Sequence, residues 1–420
     1  MKGRRTALAG AVGSIVEYYD FTLFGLAAAL VFNEQFFPDS SPGAATLSSF
    51  ATFAVGFFAR PVGGAVFSHF GDRIGRKPMM VITLLLMGLS TTAIGLLPSY
   101  ASVGILAPIL LVLLRLLQGF GAGAEYVGAL VMVAEASDSR RRGLWASLPG
   151  TGVFTGILIA TLVFAGASAL PSFETWGWRL PFLLSIVAVG VGLFFRARVE
   201  ESEVFERQKS EGTSRFPMLE VIRKQPKNLL IAFVANGPFV AISYLIQVFV
   251  LSYVTKTLEL SKTTGLLANV VASSLAIVST PLFGMLSDKV GRRPVWLGGA
   301  AFLVVFAFPM FWLVETGNTL LVIVSVTLGL AVGIASMYAA QASLYTELFE
   351  TRFRFSGIAL ARESTSALIG GPAPFVAAAL LEASGGASWP IALLVLGFAA
   401  ISFVAILFAP ETRQADLSVV

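Results

Sequence analysis

The sequence predicts an all-α membrane protein: twelve transmembrane helices in two six-helix bundles related by a pseudo-twofold axis. Three observations carry this expectation. Of 420 residues, 56% are hydrophobic and 13% charged, with a mean hydropathy of +0.82, too apolar for a soluble domain. The apolar residues fall into twelve runs, each near the roughly 20 residues of helix that cross a hydrocarbon core. A short basic stretch, Gly71-Asp72-Arg73-Ile74-Gly75-Arg76-Lys77-Pro78, recurs half a chain later as Ser287-Asp288-Lys289-Val290-Gly291-Arg292-Arg293-Pro294, so the halves read as parallel copies.

The runs cover, to within several residues, 7 to 32, 45 to 69, 79 to 98, 103 to 130, 144 to 169 and 178 to 197 in the first half. In the second they cover 228 to 254, 264 to 286, 295 to 314, 319 to 345, 355 to 381 and 387 to 409. The first run follows Met1-Lys2-Gly3-Arg4-Arg5, but Glu17 and Asp20 interrupt it and no small-residue cleavage site follows, so it reads as a retained span. Each basic repeat returns one run to the next. After the fourth run, Glu135 precedes Arg140, Arg141 and Arg142; after the tenth, Glu347 precedes Arg352 and Arg354. Trp178-Arg179-Leu180-Pro181 echoes weakly as Trp389-Pro390. The longest polar interval holds Glu200, Glu201, Glu203, Glu206, Lys209, Glu211 and Arg215 and divides the sets of six. The expected units are residues 1–197, a solvated linker 198–227, and 228–420. Halves repeated in parallel mark one large class of secondary transporters.

Charge orients the chain. Placing both termini, both repeats, the 135 to 143 loop, the linker and the 352 to 354 loop on one side puts 23 of the 29 Lys and Arg there and leaves only Arg179, Lys256 and Lys262 opposite. By the positive-inside rule that side is the cytoplasm, and the expected home is a bacterial-type cytoplasmic (inner) membrane. The sequence pI near 9.5 therefore reports orientation rather than a nucleic-acid face.

Seven charged groups fall deep inside the runs, away from their ends: Glu17, Asp20, Arg60, Arg115, Glu125, Arg362 and Glu363. Each costs at least about 2.5 to 3.5 kcal/mol at mid-membrane, so each needs a cavity or a partner. Glu17 and Asp20 are three apart and share a helix face. One reading makes Arg60, Arg115 and Arg362 the fork-shaped holders of an anion and makes Glu17, Asp20 and Glu125 the proton carriers. The other pairs these charges with one another to lock helices. Asn236, Tyr244, Gln247, Tyr338 and Gln341 lie at span depth as well, either completing a cavity or bonding between helices.

In the repeats, aspartate near one helix end and arginine at the start of the next can bridge helices and complement their dipoles. Asp72, Arg73, Gly75, Arg76, Glu135, Asp288, Gly291, Arg292 and Glu347 are therefore the expected cytoplasmic gate. His69 beside the first repeat reads as interfacial packing. Gly119, Gly121 and Gly123, Gly150, Gly152 and Gly156, and Gly370-Gly371-Pro372 allow close helix contact. Gly119-Phe120-Gly121-Ala122-Gly123 is no nucleotide loop, because no strand precedes it and no Walker-type lysine follows. With no cysteine and a single histidine, thiol chemistry, zinc clusters and histidine triads are excluded. No catalytic residue, metal or cofactor is expected, and the chain does not read as an enzyme.

At these residues the sequence resembles the major facilitator superfamily and, within it, the metabolite:proton symporter family, over nearly its whole length. The family pattern Gly-x-x-x-Asp-Arg-x-Gly-Arg-Lys/Arg fits Asp72, Arg73, Gly75, Arg76 and Lys77, and again Gly284, Asp288, Gly291, Arg292 and Arg293. Ser68 stands where the first copy's leading glycine belongs. Glu17-Tyr18-Tyr19-Asp20-Phe21, Arg60-Pro61-Val62-Gly63-Gly64 and Arg115-Leu116-Leu117-Gln118-Gly119 with Glu125-Tyr126 look like the family's motifs in helices 1, 2 and 4. The resemblance implies alternating access and substrates among carboxylates such as 2-oxoglutarate, citrate or shikimate, or zwitterions such as proline and betaine. It adds Tyr18, Tyr19 and Gln118 to the substrate-binding candidates.

The expected function is proton-coupled symport of a small organic acid, with carboxylate and proton as partners in the lipid bilayer and a monomer as the working unit. Symport of a zwitterionic osmolyte or amino acid is the alternative within transport. A drug:proton antiporter fits less well, since its cavity should hold few cations. A transport-dead sensor is the alternative of another class and should carry a sizeable signalling tail, whereas only a short stretch follows the twelfth run.

Overall fold

Hydrocarbon offers no partner to a backbone N–H or C=O, so the chain satisfies them internally as helix. The computed structural model describes residues 2–74, 76–123, 125–197, 217–413 and 415, and among these no strand occurs. Twelve helices cross the membrane: α1 (Lys2–Leu30), α2 (Pro42–Ile74), α3 (Arg76–Gly95), α4 (Leu106–Glu135), α5 (Arg142–Ser168) and α6 (Gly177–Phe194) in the first half. The second half holds α7 (Pro226–Thr257), α8 (Lys262–Val290), α9 (Arg292–Glu315), α10 (Thr319–Leu348), α11 (Arg354–Ala383) and α12 (Trp389–Leu407). Ten are long and apolar enough to span by length and composition, α3 contributes a shorter apolar stretch, Val81–Gly95, and α1 carries Glu17 and Asp20 within its length.

The helices depart from regularity where the site forms. Among the described residues, π-helical turns at Leu245–Phe249, Tyr253–Thr257, Gly329–Ile334 and Ser366–Gly370 all belong to the second half. Such turns shift the register of side chains along a helix and often mark functional positions. Helix α4 runs as Leu106–Gly121 and resumes at Glu125, a break inside the span expected to be continuous. A short helix, Pro217–Lys224, precedes α7, whose first residue is a proline where the missing N–H is harmless.

Small residues decide which helices touch. A Cβ on Gly63 would overlap the Phe120 carbonyl, and one on Gly119 would overlap the Gly56 carbonyl, so α2 and α4 meet backbone to backbone. Gly152 and Gly156 do the same for α5 against α1. Large apolar side chains instead point outward, Val305 at 76% and Leu96 at 70% exposure, where lipid takes the place of water. The halves face each other through α5 against α8 and α2 against α11. They close on a residual cavity with room for about one water molecule, lined among others by Tyr18, Phe53, Tyr244, Gln247 and Asn269.

Candidate functional site

At the centre, four charged side chains from three helices join into one line. Glu17 of α1 accepts from Arg60 Nη2 at 2.5 Å, and Arg60 Nε donates to Glu363 Oε2 of α11 at 2.8 Å. Glu363 Oε1 accepts from Arg362 Nη1 at 2.7 Å, and Arg362 Nη2 donates to the Tyr18 hydroxyl at 2.8 Å. All four charges are buried, and they cancel. Glu17 and Arg60 belong to the first half and Glu363 and Arg362 to the second, so the bond between Arg60 and Glu363 crosses the interface.

Aromatic rings surround this line. The Arg60 guanidinium lies 4.7 Å from the Phe21 ring centre and that of Arg362 lies 4.2 Å from Tyr126. Tyr18 and Tyr338 bring their hydroxyls within 3.2 Å across the halves. Rings and guanidinium planes attract through the ring quadrupole, which stabilises a cation that water cannot reach.

A second charged pair stands apart from the line. Arg115 of α4 is fully buried among Phe21, Phe24, Phe53 and Phe57, with its Cζ 4.1 Å from the Phe24 ring centre. It donates to Gln118 Oε1 at 2.5 Å and to the Phe53 carbonyl at 3.1 Å. Gly56 leaves the space its guanidinium occupies. Gln118 is held in turn, donating to Thr91 Oγ1 at 2.7 Å. Among the described residues no carboxylate forms an ion pair with Arg115. Asp20 is buried with Ser185, Thr91 and Arg115 as its polar neighbours, and neither of its oxygens has a hydrogen-bond partner among the described residues.

The uncharged candidates divide. Gln341 Nε2 donates to Asn236 Oδ1 at 2.6 Å, and Asn236 Nδ2 donates to Thr365 Oγ1 at 2.7 Å, which ties α10, α7 and α11 together just behind the charged line. Gln247 lines the residual cavity, its amide bonded to Ser243. Tyr19 turns toward α6, donating to the Pro181 carbonyl at 3.0 Å, so of the tyrosine pair only Tyr18 faces the centre.

At the face carrying the duplicated loops, a second set of bonds joins the halves. Asp288 accepts from the backbone N–H of Gly143 at 2.8 Å and of Leu144 at 3.0 Å, the start of α5, where unpaired N–H groups and the dipole favour an anion. A Cβ on Gly284 would meet the Gly143 carbonyl at 2.7 Å, so the motif's leading glycine is what brings α8 close enough. Gly291 sits at φ +112°, a conformation glycine adopts without a Cβ clash, and turns the chain from α8 into α9. Glu347 accepts from Arg142 at 3.0 Å, from Arg292 at 3.2 Å and from Thr412 at 2.7 Å, while Arg354 reaches Glu135 at 2.8 Å. The opposite face has a lighter join: Lys262 pairs with Glu174, and Lys256 donates to Thr46 Oγ1 at 3.4 Å.

The family model of the Major Facilitator Superfamily matches residues 10–374. The chain belongs to the Major Facilitator Superfamily. It is a membrane transporter and not an enzyme. Among its relatives, the shikimate transporter of Escherichia coli is 35% identical over 99% of this chain and 96% of its own length. The glycine betaine/proline/ectoine/pipecolic acid transporter OusA of Dickeya dadantii is 34% identical over 99% of this chain and 84% of its own. In structure, the chain is similar to a proton:xylose symporter, XylE, bound to 6-bromo-6-deoxy-D-glucose, with a TM-score of 0.74 at 20% identity over 99% of this chain and 97% of that one, a likeness of fold.

Within this major facilitator fold, the structure gathers Glu17, Tyr18, Arg60, Tyr338 and Arg362 at one centre and sets Asp20, Arg115 and Gln118 beside it. The side chains of Asp72, Arg73, Arg76 and Glu125, and Gly75 as a whole, lie outside the described residues. Three site contributors were not among the sequence candidates. Glu363, read in the sequence as a deep charge with no assigned role, meets Arg362 directly at 2.7 Å. Arg142 and Arg354 carry no assigned role in the sequence, and their acceptors, buried Glu347 and partly exposed Glu135, give them a pairing role. The repeated Glu-then-Arg spacing was the available signal.

Proposed function

We propose that this protein carries a small organic acid together with a proton across the cytoplasmic membrane, the two halves exposing the central site to each side in turn. One observation supports this above the rest: Arg60 and Arg362, from opposite halves, both aim their donors at a single carboxylate, that of Glu363. A site built this way recognises a carboxylate by a charge-assisted pair of hydrogen bonds. One such clamp fits one carboxylate, and the aromatic walls with Gln247 and Asn269 beyond them suit a compact, hydroxylated monocarboxylic body. Asp20 is the leading proton carrier in this reading, being a buried carboxylate outside the ion-paired line. Glu17 and Glu125 are the other carboxylate candidates.

A zwitterion is the second reading. Glu17 Oε2 has no hydrogen-bond partner among the described residues and stands near Tyr18, a place that suits a cationic head while the arginines take its carboxylate. The relative named for glycine betaine and proline accords with this.

Purified protein in liposomes holding a pH-sensitive dye tests both. Shikimate, 2-oxoglutarate, citrate, proline and betaine are added outside in turn. Lumen acidification with a carboxylate, lost in Asp20→Asn and Arg115→Ala, supports organic-acid symport. Acidification with proline or betaine alone moves the assignment to zwitterions, and labelled substrate that equilibrates without proton movement overturns the coupling.

A further inference from the structure

We propose that Glu363 is a resident anion in the substrate's own carboxylate site, and that substrate enters by displacing it from Arg60 and Arg362 as Glu363 takes up a proton. This rests on the organic-acid reading above and adds the group that makes binding depend on protons.

The geometry poses a problem that this exchange solves. The bond between Arg60 Nε and Glu363 Oε2 spans the two halves, so opening the centre by rocking the halves stretches or breaks it. Both groups are at most 3% exposed, and a buried ion left without its partner is strongly unfavourable. Breaking the bond with nothing bound leaves Arg60 with Glu17 alone and Glu363 with Arg362 alone, each buried group short of one charge-assisted partner. A substrate carboxylate supplies the arginines with a new acceptor, and a proton neutralises the carboxylate that has lost them. The exchange conserves charge: one anion and one proton enter, no covalent bond changes except the O–H formed on Glu363, and the line stays neutral. Neither ligand alone leaves it so.

The groups that face Glu363 fit this assignment. Arg60 of α2 and Arg362 of its own helix hold it, and Glu17 of α1 lies in the same line. Tyr18 of α1, Tyr126 of α4, Tyr244 of α7 and Tyr338 of α10 surround the two arginines that hold it. The side chain of Glu125 of α4 lies outside the described residues. Glu363 stands one turn before the π-helical turn Ser366–Gly370, where the register of α11 changes and Gly371 N–H bonds to the Ser366 carbonyl at 2.7 Å.

The test measures binding of shikimate and 2-oxoglutarate to detergent-purified protein between pH 5 and 8.5, in wild type, Glu363→Gln and Glu363→Asp. Thermal unfolding is followed in parallel to establish that each variant is folded. Because Glu363 has to be protonated to leave the arginines, wild-type affinity should rise as pH falls, by up to about tenfold per unit for one linked proton. Glu363→Gln should bind at least as tightly as wild type at its acidic limit with no slope, and Glu363→Asp should keep the slope. A folded Glu363→Gln that retains the wild-type slope, or no longer binds, overturns the proposal and leaves organic-acid symport standing. Wild type that binds neither acid at any pH overturns the organic-acid reading, and this inference with it.

Discussion

Arg142, at the start of α5, and Glu347, at the end of α10, meet at 3.0 Å across the two halves, and the same carboxylate also takes Arg292 and Thr412. Glu347 and Arg292 are buried, so this acceptor joins the halves at the basic face without competition from water. Glu347→Gln removes the charge that Arg142 and Arg292 share and leaves Arg292 with Asp288 alone, a loss of about 3 to 5 kcal/mol for a buried pair. The chain has no cysteine, so a thiol introduced at buried Ser147, between α5 and α8, is the sole reporter. Its maleimide labelling should rise tenfold or more in the Glu347→Gln background; an unchanged rate argues against a gate.

The join at the opposite face is weaker. Lys262 and Glu174 are 38% and 52% exposed, and pairs of this kind contribute about 0.2 to 1 kcal/mol. Glu174→Gln should change labelling of a cysteine placed at Thr46 by no more than about fivefold. A tenfold change there would mean that the two faces are held with similar strength.

Asp20→Asn keeps the size of the side chain and removes its proton. Uptake driven by an inward proton gradient should fall to the background of empty liposomes, while exchange of labelled for unlabelled substrate at equal pH continues. Gradient-driven accumulation that survives would move the coupling proton to another carboxylate.

Arg115 depends on its flat, delocalised head: it faces four phenylalanine rings while donating to Gln118 and the Phe53 carbonyl. Lysine carries the same charge as a compact, strongly hydrated point and cannot make that set of contacts. Arg115→Lys should therefore lower transport at least tenfold with the unfolding temperature within a few degrees of wild type. Near-normal transport would reduce the role of Arg115 to its charge.

Gly119 lies where α4 meets α2 through backbone, with no space for a Cβ beside the Gly56 carbonyl. Gly119→Val should force these helices apart and lower the unfolding midpoint or the yield of folded protein, overpacking being worth about 1 to 3 kcal/mol or more. Gly298→Ala is the control, since nothing lies within 4 Å of its Cβ position. Equal stability of the two variants would contradict the packing described.

Much of this protein was legible in its sequence because the governing rules are local. Hydropathy counts apolar residues along the chain, so the twelve spans were set by composition and length. Duplication is visible in Asp72 and Asp288 without coordinates, and depth in the membrane follows from about 1.5 Å of rise per residue. Depth is not azimuth or neighbourhood, however. Arg60 and Glu363 are 303 positions apart and meet only because the two halves pack α2 against α11. Whether a deep charge is paired depends on which helix faces it. That is why Glu17 and Asp20, three residues apart on one helix, have different fates: Glu17 joins the ion-paired line and Asp20 stands outside it. The sequence determined which charges enter the membrane; the packing of two halves against each other decided which of them neutralise one another, because a buried charge takes whatever partner the neighbouring backbone brings within reach.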